Sequence, residues 1–363
     1  MTFLQRLLPL LHGEQVPSGV IQKGLLRVLG SLGEGYGYAM QRRRHHYMHG
    51  HRYRYRPPCP VISVGNLTTG GTGKTPLIRW LAHHLLAQGH QPAIISRGYG
   101  QQSQQSVTAV SDLEQLRCHP PMAADEAYLL ARALPGVAVL TGAQRQTVIE
   151  AALHNGWCDT LLLDDAFQHL RVQRDLDLLL LDARHPLGNG RMLPGGVLRE
   201  HPRTLQHADL IILTRAEDPQ RARQAEQLIA PYLKAQTPIL RATHAPAGWH
   251  HLDGSSCPMP HQPVLAFTGI GRPESFWHTL ATQGVRPLAH RAFADHYPFS
   301  ATTLSELALQ AQQAGASALV CTEKDAVKLQ PQWSPLPIYW LGVEWHFITD
   351  PAPLLQRIKT LFW

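Results

Sequence analysis

The chemistry in this chain concentrates at residues 61–76, VISVGNLTTGGTGKTP. An apolar run, Val61–Val64, leads into a glycine-rich turn that closes on Gly73-Lys74-Thr75 at the start of a helical pattern. The arrangement suits a nucleoside triphosphate. Gly70, Gly71 and Gly73, with Thr72 between them, let backbone N–H groups converge on phosphate oxygens, and the helix N-terminus adds partial positive charge. Lys74 can reach the outer phosphates and the Thr75 hydroxyl can hold Mg²⁺. Strict G-x-x-x-x-G-K-[ST] has glycine at position 68, where this chain has Thr68. A glycine-rich turn without a ligand is the plainer alternative.

Four further groups carry reactive side chains. Leu161-Leu162-Leu163-Asp164-Asp165 is an apolar strand ending in paired carboxylates, where a P-loop protein keeps its acids for the metal side. Asp125 and Glu126 open a helical stretch. A helix cap is the favoured role there, and a base for an acceptor hydroxyl is the other. His296, in Phe293-Ala294-Asp295-His296-Tyr297, has an acid beside it, although among 22 histidines a packing role is the commoner one. Thr322-Glu323-Lys324-Asp325 follows another apolar run and has the spacing of a helix cap, with a phosphate- or nucleotide-facing Lys324 as the other reading. The loop Arg184 to Glu200, RHPLGNGRMLPGGVLRE, is rich in glycine and bears three arginines, which suits phosphate or sugar recognition.

The elements that must position these groups read as α/β. From Pro60 to about Ala242, strands at Val61–Val64, Ala93–Ser96, Val137–Leu140, Thr160–Leu163, Leu176–Leu181 and Leu210–Thr214 alternate with helices, as in a doubly wound, mostly parallel sheet. A Pro-, His- and Gly-rich stretch from His244 to Pro263 reads as a linker. A second, smaller α/β unit follows, with strands at Val264–Thr268, Ala318–Cys321 and Ile338–Leu341 and a helix over Thr303–Ala314. The expected division is residues 1–50, 51–245 and 246–363, the last closing over the site.

The first forty residues carry two apolar segments. Phe3, Leu4, Leu7, Leu8, Leu10 and Leu11 surround Pro9. Beyond Pro17-Ser18-Gly19, Ile21, Leu25, Val28, Leu29 and Leu32 recur at helical spacing. The stripe fits either an interfacial helix or a helix packed on the core. Arg42, Arg43, Arg44, Arg52, Arg54 and Arg56, interspersed with His45, His46, His49 and His51, follow it within fifteen residues. That cluster favours the membrane surface and points to an anionic partner; a nucleic acid is the weaker choice.

At 363 residues the chain is long enough for two domains. Its five cysteines are scattered and never spaced C-x-x-C, which excludes a disulfide framework or a structural zinc site and fits a reducing cytosol. No 18-residue apolar run offers a membrane span, and the N-terminus lacks a convincing signal-peptide cleavage site.

In combination these motifs resemble one family. GNLTTGGTGKTP, SRGYG at Ser96–Gly100, Asp125-Glu126, LDDAFQH at Leu163–His169, Arg174-Asp175, GNGRMLPGGVLRE at Gly188–Glu200, FADHYPF at Phe293–Phe299 and TEKDAVK at Thr322–Lys328 occur in the order found in tetraacyldisaccharide 4'-kinases, the lipid A 4'-kinases of Gram-negative bacteria. The likeness runs from the N-terminal helices to about Trp340, and that family's loop also departs from the strict leading glycine. It implies transfer of the γ-phosphoryl group of ATP, with Mg²⁺, to the 4'-hydroxyl of a tetraacylated disaccharide 1-phosphate. It further implies a peripheral protein on the cytoplasmic face of the inner membrane, with no nucleic-acid ligand and no obligate protein partner. By the same resemblance, Lys74 and Thr75 match the ATP and Mg²⁺ loop, and Asp164 and Asp165 match the Walker B-like acids. Asp125 matches the residue that activates the acceptor, and His296 matches its partner from the second domain, so that closure on substrate would complete the pair. Tyr99, Glu126, Arg145, Gln168, His169 and Asn189 resemble supporting substrate-site residues. The family usually reads GDEP and DDG where this chain has Ala124-Asp125-Glu126-Ala127 and Asp164-Asp165-Ala166, so each turn is expected to differ slightly, because alanine resists positive φ. A membrane-associated P-loop ATPase acting as a switch or assembly factor is the competing class.

Overall fold

The computed structural model describes residues 9–15 and 19–362, without the side chains of Val20 and Ile21. Phe3, Leu4, Leu7, Leu8, Pro17 and Ser18 therefore lie outside the described residues, as does the side chain of Ile21.

Continuous apolar runs become parallel strands covered on both faces. In the first unit these are β1 (Val61–Asn66), β2 (Pro92–Ser96), β5 (Thr160–Asp164), β6 (Leu176–Asp182) and β7 (Leu210–Thr214), every residue of which is buried. With the start of β8 (Ile239–His251) they form a parallel sheet in the order β8-β7-β6-β1-β5-β2. Because β1 lies between β5 and β6, the chain leaves it in one direction and later returns on the other. That makes the carboxyl end of β1 a topological switch point, where ligands of open α/β sheets bind.

The second unit carries the parallel set β10 (Val264–Thr268), β11 (Ala289–Ala292), β12 (Ala318–Thr322) and β13 (Ile338–Phe347), plus an antiparallel pair, β3 (Thr108–Ser111) with β4 (Ala138–Thr141). Leu265, Phe267, Leu304, Leu307, Leu319 and Trp340 build its core. The doubly wound parallel fold with a second, smaller α/β unit is thus present, but the boundaries differ from the expected division. The first unit comprises Met1–Arg97, Gly142–Thr243 and His346–Trp363, and the second Gly98–Thr141 and His244–Trp345. Residues 98–141 belong with the second unit because their strands pair with each other and the helix Asp125–Ala133 packs on the helix Glu323–Ala326. A contiguous reading cannot see such an excursion.

The expected linker at 244–263 is corrected as well. Much of it is strand: β8 continues to His251, and Trp249 and His250 pair with β9 (Ser256–Cys257). Its Pro, His and Gly content hid a strand whose side chains are mostly half-buried.

The N-terminal apolar stripe forms one helix, Val20–Met48. Leu26, Gly33, Arg44 and Tyr47 are buried on one side. Gly30, Gly33 and Gly37 let the helix lie directly on the 191–196 loop: a Cβ at Gly33 would stand 2.8 Å from the Met192 carbonyl oxygen. Val28 (61 % exposed) and Leu32 (59 %) face outward. The helix therefore packs with one side and presents apolar residues on the other.

The six arginines do not form a single anion-facing patch, which corrects that expectation. Arg44 is buried against Glu200 at 2.6 Å and also donates to the Phe167 carbonyl. Arg43 and Arg54 donate to the carbonyls of Gln168 and Leu170, and Arg56 pairs with Asp175. Backbone carbonyls of the 167–170 turn need donors, and the arginines supply them.

Candidate functional site

The phosphate loop forms between β1 and the helix Lys74–Ala87. Gly70 (φ +105°) and Gly73 (φ +87°) take the left-handed conformations that the turn requires. Thr68 makes no such demand. It is buried and extended, bridging Leu198, while Thr69 N–H donates to Val197 O and Arg199 N–H to Leu67 O. Residues 67–69 and 197–199 thus pair like short strands, so the position of the leading glycine is held by a strand-forming residue.

This pairing brings the GGVLRE segment beside the acids of β5. Arg199 Nη1 donates to both oxygens of Asp165, at 2.9 and 2.8 Å, and Lys74 Nζ lies 3.4 Å from the same carboxylate. Burial pushes the Asp165 carboxyl up, but Lys74 and Arg199 outweigh it and hold the carboxyl below its usual range. In the turn Asp164-Asp165-Ala166 the positive φ (+49°) belongs to Asp165, and Ala166 needs none. Likewise Ala124 sits comfortably at φ −70°.

Arg145 is 3 % exposed, with Nη1 on the Gly142 carbonyl and Nη2 on the Asp164 carbonyl. Burial lowers its pKa to about 10, which leaves it charged near neutrality. Burial, reinforced by Arg145 and Arg174, pushes the His169 imidazole down to about 3, so that ring is neutral. Gln168 donates to the Asn66 carbonyl at 2.9 Å. Among the described residues, Asn66 Oδ1, Thr72 Oγ1, Arg145 Nε, Gln168 Oε1 and His169 Nε2 are buried polar atoms with no hydrogen-bond partner. Buried polar atoms are normally satisfied, so each of these has hydrogen-bonding capacity to spare. Asn189 is engaged elsewhere: its amide donates to the Gly195 and Leu10 carbonyls and accepts from Arg191 N–H, fastening the glycine loop.

Two residues of this unit escaped sequence reasoning. Arg215 (φ +53°) donates to the Gly71 carbonyl at 3.0 Å and pairs with Asp182 at 2.8 Å, tying the phosphate loop to the end of β6. Burial raises the Asp182 carboxyl, but Arg215 and Arg184 prevail and hold it at about 2. An acid at the end of the apolar run LDLLLLD was the available signal.

The second unit contains the other reactive group. Asp125 is the first residue of its helix, one place after the N-cap Ala124, so its charge lies in the first turn. Its carboxylate lies 3.3 Å from His296 Nδ1 and 3.9 Å from Lys328 Nζ. Asp125 thus opens the helix, where an acid complements the dipole, and also makes a tertiary contact. Both members of the pair belong to one unit. The expectation that domain closure brings them together is corrected, because the pair is preformed. Tyr99, 78 % exposed, stands with its ring 6.2 Å from that of His296. Glu126 binds Lys324 at 3.2 Å. The TEKD cap reading holds, since Thr322 Oγ1 accepts from Asp325 N–H.

A parallel sheet with a phosphate loop at its switch point, acids on the neighbouring strand and a carboxylate–imidazole pair in a second unit define a P-loop phosphotransferase class of protein. Comparison with known proteins narrows the class. The family model described as tetraacyldisaccharide-1-P 4'-kinase matches residues 25–362, and the chain belongs to that family. A tetraacyldisaccharide 4'-kinase of Desulfotalea psychrophila is 39 % identical over 311 residues, covering 84 % of this chain and 88 % of the relative. One from Geobacter metallireducens is 40 % identical over 307 residues, covering 82 % and 87 %. Among solved structures, the "apo" form of LpxK from Aquifex aeolicus in complex with ATP matches with a TM-score of 0.77 at 28 % identity, covering 93 % of this chain and all of that one.

Proposed function

We propose that the protein is an ATP- and Mg²⁺-dependent kinase that phosphorylates the 4'-hydroxyl of a tetraacyldisaccharide 1-phosphate, a lipid A precursor. The observation that carries this reading is the Asp125–His296 pair, with the carboxylate 3.3 Å from the ring nitrogen. A P-loop ATPase acting as a switch has no use for a second proton acceptor; a kinase with an alcohol acceptor does.

The triphosphate would lie on the loop Gly70–Thr75, with Lys74 at the outer phosphates. Thr75 and Asp164 offer hard oxygen donors of the kind Mg²⁺ takes, and Asp165 stands in the same group. When bound, the ion supplies neutralisation of phosphate charge. Asp165, clamped by Arg199 and Lys74, holds those two cations at the carboxyl edge of the sheet. In the transfer, the acceptor oxygen forms its bond to the γ-phosphorus. The bond to the ADP oxygen breaks with its electron pair, and the hydroxyl proton passes to Asp125. Positioning and charge neutralisation carry most of such a reaction. Within the first unit Gln168, His169 and Arg145 would serve the substrates and Asn189 would shape the glycine loop, while Tyr99 would serve them from beside His296 in the second unit.

The acceptor's acyl chains favour work at a membrane surface, here the cytoplasmic face of the inner membrane. No helix among the described residues is long and apolar enough to cross a membrane. Val28, Leu32 and Tyr38, exposed on the N-terminal helix with Arg42 beyond them, support peripheral attachment.

Incubation with γ-labelled ATP tests the reading. Label should enter the disaccharide lipid, with little phosphate released when lipid is omitted. Rapid lipid-independent hydrolysis without labelled lipid would favour the switch instead.

A further inference from the structure

The segment TEKDAVK of the second unit is more than a helix cap. Asp325, fully buried, accepts from Thr268 Oγ1, Gly269 N–H and Thr322 Oγ1, which ties the ends of β10 and β12 together. Lys324 and Lys328 lie one helical turn apart on that anchored base. Lys328 bridges Asp325 at 3.1 Å and the Tyr297 carbonyl at 3.2 Å, and faces Asp125. Lys324 Nζ lies 3.2 Å from His296 Nε2, 3.2 Å from Glu126 Oε1 and 3.5 Å from Asp295 Oδ1.

An ammonium group has donors only, so at the Lys324 contact His296 Nε2 must offer its lone pair. The ring's proton is then on Nδ1, where it points at the Asp125 carboxylate. Asp295 also faces Nε2, but at 4.0 Å it lies beyond hydrogen-bonding reach. His296 is itself held in a left-handed conformation (φ +59°) by N–H bonds to the Gly269 carbonyl and Asp295 Oδ1, which fixes the direction of its ring. Burial opposes the Lys324 charge, but Glu126 and Asp295 outweigh it, so the amine stays protonated more firmly than usual.

We propose that Lys324 is a positioning residue that keeps the His296 ring proton on Nδ1 and off Nε2, so that Asp125 alone accepts the proton of the acceptor hydroxyl. This rests on the reading of Asp125 as that acceptor. A doubly protonated imidazolium would bind Asp125 as an ion pair and blunt it as a base. A ring with its proton on Nε2 would leave Asp125 without a donor. With Lys324 removed, Nε2 would face Asp295 alone and be free to carry a proton toward it.

Ring ¹⁵N NMR of histidine-labelled full-length protein, with His296 assigned by its loss in His296→Gln, tests this in two stages. In the wild type at neutral pH, Nδ1 should resonate as protonated and Nε2 as unprotonated; a protonated Nε2 overturns the proposal without any variant at Lys324. In Lys324→Met, Nε2 should gain a proton, and kcat should fall about tenfold or more with KM for ATP within about twofold. Lys324→Arg, again a donor only, should keep both properties near wild type. Unchanged ring nitrogens in Lys324→Met, or an equal loss in Lys324→Arg, would contradict it. Full turnover in Asp125→Ala would instead overturn the base assignment, while the wild-type ring spectrum would still report on Lys324.

Discussion

Arg44 joins the N-terminal helix to the residue next to Arg199, so Arg44→Met tests whether that helix is part of the site's foundation. Arg44 donates to Glu200 at 3.1 and 2.6 Å and to the Phe167 carbonyl at 3.1 Å, with its guanidinium 4.8 Å from the Phe167 ring centre. Glu200 is 1 % exposed, so water cannot replace the lost donors. Removing one partner of a buried pair costs about 3–5 kcal/mol, because the other charge is left uncompensated. Arg44→Met/Glu200→Met removes both charges and should cost much less, about 1–2 kcal/mol, mainly for the donor lost at the Phe167 carbonyl. Urea unfolding followed by circular dichroism measures both, and amide exchange over 20–48 tells whether the helix detaches first. A single variant within about 1 kcal/mol of wild type, or a double variant as unstable as the single, would refute the reasoning.

Other consequences concern acid stability and the membrane. Asp182 is held at about 2 against an ordinary 3.8, so its contribution is complete above pH about 4 and is lost as pH falls through about 2. The stability difference between wild type and Asp182→Asn should therefore narrow by about 2 kcal/mol from pH 6 to pH 2 in urea titrations; a constant difference would contradict the assignment. Val28→Glu/Leu32→Glu should weaken co-sedimentation with anionic vesicles by at least about tenfold, since two apolar side chains would no longer enter the interface. The same variant should stay within about 0.5 kcal/mol of wild-type stability; unchanged vesicle binding would remove this face from membrane attachment.

Much of the fold was legible because parallel strands buried on both faces are largely apolar. The expected runs at Thr160–Leu163, Leu176–Leu181 and Leu210–Thr214 appear as strands with at most one residue added. The strands β3, β8 and β11 were not legible. β8 and β11 have largely half-buried or exposed side chains, and β3 spans only four residues, so none carries a long apolar run. In the site, Lys74 and the β5 acids announce themselves through local spacing. The role of Asp125 does not, because a helix-opening acid looks the same whether it caps or contacts a histidine 171 residues away. Lys324 could be read as a cap residue or a phosphate-facing cation, but its partners were hidden for the same reason, since its amine serves residues far along the chain. Arg44 read as surface charge because nothing local foretells a glutamate 156 residues later.

Single-turnover phosphorylation of the disaccharide lipid by Asp125→Ala, at saturating ATP, tests the central claim most directly. The predicted result is a chemical step slowed by about a hundredfold or more with ATP affinity within about threefold of wild type. A rate within about threefold of wild type would mean that Asp125 does not take the acceptor proton.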